Sequence, residues 1–428
     1  MNVLRYLDSN FSQAIAALDR SAEPSPHVRE TVAEIIANVR SNGDIALLDF
    51  TAKFGGPSLE PAQLLVDPSE TLAAVATLTE DIRATLAACH ANVAAFARRG
   101  LRESWSVRNA QGVRVGETFN PFERVGIYVP GGTAPLVSTA IMTVTLAAVA
   151  GVPEIVVTTP AGPDGKINPA LLSALQLAGA TETYRVGGAQ AIAALAFGTE
   201  TIRPVTKIFG PGNQYVIEAK RQVFGKVSID QLPGPSEIMI IADDTANGAW
   251  IAADLLAQAE HGHDSVICFL TDSESLLSAV QTQIDAQSQS LTRQTFLHEV
   301  ITKNAFLILV EDLGQAIQIA NDFSPEHLAV FTRNPTQIAG EIRTAGAIFL
   351  GAWSPVAGGD FLAGPSHTLP TGGAGKSFAG LTVDQFQRRT SIVEFDQESL
   401  RASAPIIAAA AALEGLDAHA RSATIRLE

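Results

Sequence analysis

Cysteine is nearly absent from this chain of 428 residues, which contains only Cys89 and Cys268. The two residues lie far apart, and neither has a second cysteine at CxxC spacing. The sequence therefore supports neither a disulfide framework nor a zinc site built from thiolates. Because free thiols are usual in a reducing compartment, we expect the protein in the cytoplasm.

Basic charge is also in short supply. The chain has 29 Lys and Arg against 44 Asp and Glu, which gives a formal net charge of −15. No basic stretch offsets this total or offers a phosphate-binding face, so we expect no nucleic-acid partner. A small-molecule substrate fits the composition better.

Long uninterrupted apolar runs are missing as well. The N-terminal segment carries Asp8, Asp19 and Glu23 and lacks the apolar core of a signal peptide, so we expect no export by that route. The charge-free stretch 125–152 approaches the length of a membrane span, but prolines and glycines interrupt its first part. We interpret its apolar part, residues 136–152, as a helix buried within an α/β layer.

A complete nucleotide-binding fingerprint is missing too. Three glycine-bearing loops, at 128–132, 187–190 and 210–213, follow predicted strands, where α/β sheets commonly bind ligands, but none has GxGxxG spacing. Residues 375–377 end like a Walker A loop, yet Pro370 stands where that motif needs its first glycine. We therefore reject a P-loop, and the loops alone leave dinucleotide binding open.

The order of the apolar segments predicts the fold class α/β. Short β-branched runs alternate with alanine-rich segments of helical length, a pattern typical of parallel sheets covered by helices. The predicted strands are 125–129, 154–159, 183–186, 206–209, 237–241, 265–270, 305–310, 328–331 and 346–350. At this chain length we expect two core-bearing units.

We predict four parts of the chain from these patterns and from the breaks between them. They are an N-terminal helical arm at 1–26, a first α/β domain formed by 27–127 and 238–380, a second α/β domain at 128–237, and a C-terminal arm at 381–428. The first break is at Pro24 and Pro26, and the last follows the glycine-rich residues 371–375.

Glu326 and His327 place an acid beside a base. A glutamate can orient or activate water, and an imidazole can take up a proton near neutral pH. The pair therefore has the chemistry that the catalytic residues of a two-step reaction need. The alternative for an isolated Glu-His dipeptide is a solvated turn.

Metal-ligating residue types occur at suggestive spacings. Gln258 and His261 fall at i and i+3 near the end of a helix predicted at 249–260, so they share one face. Asp360 follows two glycines, which admit close backbone approach, and His367 follows a rigid Gly-Pro-Ser turn. A glutamine, two histidines and an aspartate would give zinc an open, catalytic site. The alternatives are a structural helix pair, a turn aspartate and a surface loop.

Taken in order along the chain, these motifs resemble those of the histidinol dehydrogenase family. Its members are zinc- and NAD-dependent enzymes that catalyse the last two oxidations of histidine biosynthesis. The resemblance covers nearly the whole chain. The matching segments are 125–132, 186–192, 209–213, 234–237, 258–262, 325–327, 359–360, 367 and 414–419.

The resemblance implies a set of residues for each role. Glu326 and His327 would be catalytic. One zinc ion per subunit would be bound by Gln258, His261, Asp360 and His419, and NAD by Tyr128, Gln190 and Asn213. The substrate would contact Ser236, His327, His367 and Glu414 together with the four zinc ligands.

The resemblance also implies an architecture. It consists of two incomplete Rossmann-like domains with parallel sheets and small N- and C-terminal arms, in a domain-swapped homodimer. The tail that carries Glu414 and His419 would complete the partner's site. We expect neither a nucleic acid nor a membrane as a partner.

In the reaction that the resemblance implies, His327 removes the hydroxyl proton of L-histidinol while a hydride passes to NAD. Glu326 then helps water to add to the resulting aldehyde, and a second hydride transfer gives L-histidine. Because neither cysteine lies in a motif, we expect no thiohemiacetal.

Three segments, 230–233, 374–377 and 378–389, depart from the family pattern. Related dehydrogenases keep the zinc and catalytic residues but oxidise other small alcohols, including sulfonated diols. Glu414 favours a cationic or imidazole-bearing substrate, since a carboxylate repels a sulfonate. A third hypothesis is a non-catalytic dimer organised by zinc, motivated by the missing nucleotide fingerprint.

Overall fold

Two parallel β-sheets, one of five strands and one of six, organise the part of the chain that the structure describes. The structure is a computed structural model, and it describes residues 1–18, 24–131 and 135–428. The prediction of an α/β fold with parallel sheets is confirmed. Each sheet and the helices packed on it are called a lobe below.

The described elements follow in chain order. The strands are β1 (Asn2–Arg5), β2 (Trp105–Arg108), β3 (Arg114–Pro121), β4 (Arg124–Tyr128), β5 (Glu154–Thr158), β6 (Glu182–Tyr184), β7 (Lys207–Phe209), β8 (Ser228–Ile229), β9 (Glu237–Ala242), β10 (Val266–Thr271), β11 (Ala305–Leu309), β12 (His327–Phe331), β13 (Ala347–Leu350) and β14 (Gln387–Glu394). The α-helices are α1 (Phe11–Ala16), α2 (Pro26–Lys53), α3 (Pro68–Ala76), α4 (Glu80–Arg99), α5 (Val137–Val149), α6 (Pro169–Ala178), α7 (Gly188–Phe197), α8 (Gln214–Val223), α9 (Gly248–Ala259), α10 (Glu274–Ser288), α11 (Gln294–Lys303), α12 (Leu313–Phe323), α13 (Pro335–Glu341), α14 (Val356–Phe361), α15 (Gln397–Leu413) and α16 (Asp417–Thr424). Short 3-10 turns lie at Pro61–Gln63, Ala374–Lys376, Val383–Phe386 and Ile425–Leu427.

The five-stranded lobe is built on the strand order β6-β5-β4-β7-β8, with every pair parallel. Its core strands read as continuous apolar runs because helices cover both faces. Helices α4, α5 and α6 pack on one face, and α2, α7 and α8 pack on the other. The loops that follow β4, β6 and β7 therefore lie together at the carboxyl edge of this sheet.

The six-stranded lobe has the order β1-β11-β10-β9-β12-β13 and is also parallel throughout. Strand β9 is buried along its whole length between β10 and β12. Helices α9, α10 and α11 cover one face, and α12 covers the other. This arrangement puts the first residues of β9 and β12 side by side at the amino edge of the sheet.

The C-terminal segment forms a smaller unit. Strand β14 pairs antiparallel with β3, which also pairs with β2, and α15 and α16 pack on each other. The turn that precedes β14 belongs to the five-stranded lobe, since Phe386 stacks on Phe209 with ring centroids 3.9 Å apart. The segment predicted as an arm from residue 381 thus begins inside a core.

The prediction that residues 1–26 form a helical arm is wrong. Residues 2–5 form the edge strand β1, which pairs with β11, and only α1 is helical within residues 1–18. A run of four residues is too short for periodicity to separate strand from helix, and the pairing partner is about 300 residues away. Asp19 and Glu23, counted in the charge of this segment, lie outside the described residues.

The predicted grouping of 27–127 with 238–380 differs from the observed packing. Helices α2, α3 and α4 pack against helices of the five-stranded lobe, and β4 is the central strand of its sheet. The reason is tertiary: the apolar face of α2, which includes Val32 and Leu47, is buried against α7. Residues on both sides of position 128 therefore share one core.

The charge-free stretch folds as α5, a helix of 13 residues whose central part is buried under the five-stranded sheet. This confirms the interpretation of residues 136–152 as a buried helix. Across the described ranges, no helix has both the length and the apolar character needed to cross a bilayer.

Helix α2 is broken at Gly43, whose backbone has φ 52° and ψ −130°. The carboxylate of Glu200 fills the break and accepts a hydrogen bond of 2.8 Å from the main-chain nitrogen of Asp44. A Cβ at residue 43 would lie 2.1 Å from that carboxylate. The glycine therefore permits both the backbone conformation and the capping contact.

Candidate active site

The pair predicted to be catalytic lies where β12 begins. Glu326 precedes the strand and His327 is its first residue, with exposed fractions of 5% and 4%. Such burial rules out the solvated turn that an isolated Glu-His dipeptide suggests. Two residues earlier, Ser324 adopts a left-handed backbone with φ 57° and anchors its hydroxyl to the carbonyl of Thr344 at 2.7 Å.

The first residue of β9 orients both members of this pair. The main-chain nitrogen of Glu237 donates to Oε2 of Glu326 at 2.8 Å, and its carbonyl lies 3.0 Å from Nδ1 of His327. A carbonyl only accepts, so Nδ1 carries a proton and Nε2 is left as the basic nitrogen. Parallel pairing of β9 with β12 holds this geometry.

Asp360 faces the basic nitrogen of His327. Its Oδ1 lies 3.5 Å from Nε2, which is an ion-pair distance but long for a hydrogen bond. Burial lowers the pKa of His327, but the carboxylates of Glu326 and Asp360 outweigh it and hold that pKa above its ordinary value. The imidazole of His327 is thus a base flanked by two carboxylates.

Asp360 itself is buried in the short helix α14. Burial works to raise its pKa, but the nearby imidazoles of His327, His367 and His261 hold the pKa below its ordinary value. The preceding Gly359 packs against the ring of Phe349, where a Cβ would lie 2.6 Å from ring carbons. Close approach through glycine, predicted from the sequence, is therefore what brings Asp360 into the site.

Gln258 and His261 lie at the end of α9, where the sequence predicted a helix end. Gln258 is 1% exposed, and neither atom of its amide has a hydrogen-bond partner among the described residues. His261 lies just past the helix, is exposed, and has its Nδ1 3.1 Å from the carbonyl of Ala257. A buried amide without partners normally costs free energy, so Gln258 is a candidate for a ligand contact.

His367 lies on the segment that follows α14. Its Nε2 is 3.2 Å from the hydroxyl of Thr139, so this contact ties the segment after α14 to α5. Burial lowers the pKa of His367 to about 4. The ring is partly buried and neutral at physiological pH, unlike the surface loop that was the alternative.

Glu414 and His419 lie apart from this group, on the exposed C-terminal helices. Glu414 caps the end of α15, and His419 is an exposed residue of α16. Within residues 1–18, 24–131 and 135–428, no three His, Cys, Asp or Glu side chains are grouped closely enough to hold a metal ion. One chain alone therefore does not assemble the predicted zinc ligand set.

The described parts of the three predicted glycine loops come together at the carboxyl edge of the five-stranded sheet. Tyr128 is buried at the end of β4, and its hydroxyl accepts a hydrogen bond of 3.3 Å from the nitrogen of Gly188. A Cβ at Gly210 would lie 2.1 Å from the carbonyl of Tyr128. The first loop continues into Gly132, which lies outside the described residues.

The remaining predicted contact residues differ in setting. Gln190 is 3% exposed in α7, and its Oε1 has no partner in the described part of the chain. Asn213 caps α8 by accepting from the main-chain nitrogens of Tyr215 and Val216. Ser236 is partly buried and immediately precedes the orienting Glu237.

Sequence reasoning missed two residues of this site. Glu237 stood inside a matched segment without a role, and its contribution is made by main-chain atoms, which no residue type announces. Thr139 lies in a stretch that reads simply as an apolar helix. A weak signal was present in the hydroxyls that interrupt this helix at positions 139, 143 and 145.

Comparison with known proteins decides the family. The model of the family described as histidinol dehydrogenase matches residues 18–427. The chain belongs to the histidinol dehydrogenase family. It is therefore an oxidoreductase, as the resemblance implied.

Relatives of known name cover the whole chain. A histidinol dehydrogenase of Syntrophotalea carbinolica is 43% identical and covers 100% of this chain and 99% of its own length. That of Geobacillus kaustophilus is 44% identical over 94% of each chain. The crystal structure of histidinol dehydrogenase from Elizabethkingia anophelis has a TM-score of 0.95 at 33% identity and covers 100% of this chain and 98% of the other. Family membership thus extends to both lobes and the C-terminal helices.

Proposed function

We propose that this protein oxidises L-histidinol through L-histidinal to L-histidine, with NAD as the acceptor in both steps and one zinc ion per subunit. The observation that carries the proposal is the buried pair Glu326 and His327, oriented by Glu237 and facing Asp360 at 3.5 Å. Such a pair supplies a base for the alcohol and a carboxylate that orients water, and the reaction needs both.

The donor set supports zinc. Gln258 offers a buried amide without partners, and Asp360 offers a buried carboxylate beside imidazoles. His261 and, from the tail, His419 complete a set of oxygen and nitrogen donors that suits zinc and leaves room for substrate. Zinc bound there supplies positive charge that holds and orients the amino alcohol.

The loops at the carboxyl edge of the five-stranded sheet support a dinucleotide site. They bring Tyr128, Gln190 and Asn213 to one edge, and the orphaned Oε1 of Gln190 needs a donor. Ligands of parallel α/β sheets commonly bind at this edge. NAD bound there supplies the hydride acceptor.

His327 acts first in the proposed reaction. With Nδ1 held by the carbonyl of residue 237, its Nε2 takes the hydroxyl proton of the alcohol. The carboxylates around it stabilise the imidazolium that forms. His367 lines the same site as a neutral group, which avoids a second positive charge next to the reacting centre.

Glu326 acts in the second oxidation. Its carboxylate orients the water that adds to the aldehyde, and a proton of that water passes to the aldehyde oxygen to give the diol. His327, after it has released its first proton, accepts a proton from the diol as the second hydride leaves. Burial of both side chains keeps the aldehyde away from bulk solvent between the steps. Ser236 and Glu414 would bind the substrate, with the carboxylate of Glu414 favouring a cationic or imidazole-bearing molecule over a sulfonated one.

A second copy of the chain completes the site in this proposal. The C-terminal helices carry apolar residues that are exposed to solvent in the single chain, including Leu413, which is 91% exposed, and Ile406. A second exposed apolar surface lies around α14 and β13 and includes Trp353, which is 87% exposed, and Phe361. Exposed apolar surfaces of this kind are typical of subunit contacts.

The test is the yield of NADH per molecule of L-histidinol consumed by the zinc-loaded protein. We expect two. A yield of one would contradict the second oxidation, and no NADH from histidinol would overturn the proposal. A parallel panel of other amino alcohols and sulfonated diols shows whether the site prefers a different alcohol.

A further inference from the structure

An ion pair between Lys220 and Asp230 is completely buried in the five-stranded lobe. The two side chains are 0% and 1% exposed. Lys220 belongs to α8, and Asp230 directly follows β8. A buried pair of charges costs several kcal/mol to desolvate and persists only where further hydrogen bonds satisfy both groups.

Those further hydrogen bonds hold one residue of the third glycine loop. Nζ of Lys220 donates to the carbonyl of Gly210 at 2.9 Å, and the nitrogen of Gly210 donates to Oδ2 of Asp230 at 2.8 Å. The other carboxylate oxygen accepts from the nitrogen of Gln231 at 2.6 Å. Both polar groups of Gly210 are therefore fixed by the two ends of one ion pair.

The backbone of Gly210 is constrained, so it cannot adjust its conformation to absorb a change in this ion pair. Its φ of +108° is a conformation that side chains rarely adopt, and its Cα faces the carbonyl of Tyr128. Tyr128 in turn accepts from Gly188 of the second loop. Displacement of Gly210 would therefore disturb all three loops at the carboxyl edge of the sheet.

We propose that Lys220 and Asp230 are positioning residues for the dinucleotide: their ion pair sets the conformation of loop 210–213 and thereby the affinity for NAD. The inference rests on the proposed function, which places NAD at these loops. The pair contacts neither the catalytic residues nor the predicted zinc ligands through any bond described above. Its effect should therefore fall on the dinucleotide alone.

The test is a double variant that removes both charges and keeps the side-chain volumes, Lys220→Met with Asp230→Asn. Changing both residues avoids the unpaired buried charge that a single replacement would leave. We expect the Kd for NAD, measured by calorimetry without substrate, to rise roughly tenfold, the order expected when a hydrogen bond to a charged group that orders the loop is lost. The KM for NAD should rise in parallel, while kcat at saturating NAD, the KM for histidinol and the zinc content stay near the wild-type values.

A control comes from the opposite edge of the same sheet, where the buried Arg124 pairs with the partly exposed carboxylate of Glu182. The variant Arg124→Met with Glu182→Gln also removes both charges of an ion pair in this sheet, but we expect it to leave the Kd for NAD unchanged. An equal loss of NAD affinity in this control would reduce the role of Lys220 and Asp230 to general stability and overturn the inference.

The remaining outcomes are also decisive. An unchanged Kd in the folded double variant overturns the inference and leaves the proposed function intact, whereas wild-type protein that fails to bind NAD overturns both. If the double variant does not fold, Lys220→Arg keeps the charge but alters its reach. Weaker NAD binding at an unchanged melting temperature then supports the inference, and unchanged binding contradicts it.

Discussion

At the scale of single residues, the chemistry of the site depends on which nitrogen of His327 is free. Its Nδ1 faces a carbonyl at 3.0 Å, so the proton is on that side and Nε2 faces Asp360. The carboxylate of Glu326 accepts from the main-chain nitrogen of the same residue, Glu237, and its Oε2 lies 3.6 Å from Nδ1 of His327. Neighbours in the sequence thus have separate orientations and separate proposed roles.

The separate roles predict a selective defect. Replacement of Glu326 by Gln removes the carboxylate that orients water but retains a side chain of the same size. We expect oxidation of supplied L-histidinal to slow by roughly 100-fold, the order expected for loss of a general base, and oxidation of L-histidinol to the aldehyde to slow much less. Rapid-mixing measurement of NADH from each substrate checks this, and an equal loss in both steps would show that Glu326 does not act on water.

Residue types predicted part of this site and could not predict the rest. The adjacency of Glu326 and His327, the helical spacing of Gln258 and His261, and the glycines before Asp360 are visible in the sequence. The orienting contacts of Glu237 are not, because peptide groups are the same at every position. Burial of the pair was also invisible, since it depends on strands that close over it from distant parts of the chain.

At the scale of elements, the candidate site involves the carboxyl edge of the five-stranded sheet and the amino edge of the six-stranded sheet. The loops predicted to bind the dinucleotide follow the ends of β4, β6 and β7, whereas Glu237 and His327 begin β9 and β12. The rule that ligands bind at the carboxyl edge of parallel strands anticipates only the first group. The nine predicted strands correspond to β4 to β7 and β9 to β13, whereas the described strands β1, β2, β3, β8 and β14 were not predicted. The edge of the six-stranded sheet that carries the candidate site was not predicted either.

The break in α2 predicts a strong response to a small substitution. Gly43→Ala places a Cβ against the carboxylate of Glu200 and forces alanine into a backbone conformation that it disfavours. We expect a loss of about 2–3 kcal/mol in the free energy of unfolding, measured by denaturant titration.

The control for this variant is Gly340→Ala in α13, where the added methyl group meets open space. Alanine in a helix is more stable than glycine by up to about 1 kcal/mol, so this variant should be neutral or slightly stabilised. If Gly43→Ala changed the free energy of unfolding no more than Gly340→Ala does, the structural account of the break would be contradicted.

Ion pairs at the amino edge of the five-stranded sheet predict a dependence of stability on acid. Hydrogen bonding by the Arg124 guanidinium lowers the pKa of Glu182 from 4.5 to about 2. A depressed pKa in the folded state means that this contribution is complete above pH 4.5 and is lost as the pH falls towards 2.

The variant Glu182→Gln should therefore be destabilised most at neutral pH, and its difference from wild type should shrink between pH 4.5 and 2. Unfolding free energies measured across this pH range check the prediction. Glu34→Gln, on the exposed face of α2, is the matched control. A constant difference for Glu182→Gln at all pH values would contradict the shifted pKa.

At the scale of the whole molecule, packing between distant segments overrides sequence order. The chain starts in the six-stranded sheet, at β1, passes through the five-stranded lobe and returns to the first sheet at β9. The alternation of strands and helices along the sequence predicted two α/β units, because this alternation is a local pattern. The pattern could not assign the helices α2, α3 and α4 to a lobe. Both lobes offer an apolar face to these helices, and those faces exist only once the lobes have formed.

The separation of His419 from the other predicted zinc ligands leads to a test by mixing. Proteins carrying His261→Ala and His419→Ala should each lose zinc and activity. If the site is shared between copies, half of the sites in a mixed dimer carry neither defect, and refolding the two variants together should restore up to about a quarter of the wild-type activity, because random pairing makes half of the dimers mixed.

Each variant refolded alone is the control, and native mass spectrometry reports how many mixed dimers form. Mixed dimers without activity would contradict a shared site and would require His419 to reach the other ligands within its own chain.

The carbonyl that holds Nδ1 of His327 belongs to the peptide group of residue 237. Every amino acid at that position would present the same oxygen, so a point mutation cannot delete this acceptor as it could a side-chain partner. The pairing of β9 with β12 therefore fixes the tautomer of His327. Substitutions elsewhere in the pocket can change the substrate preference without changing which nitrogen of His327 accepts the proton.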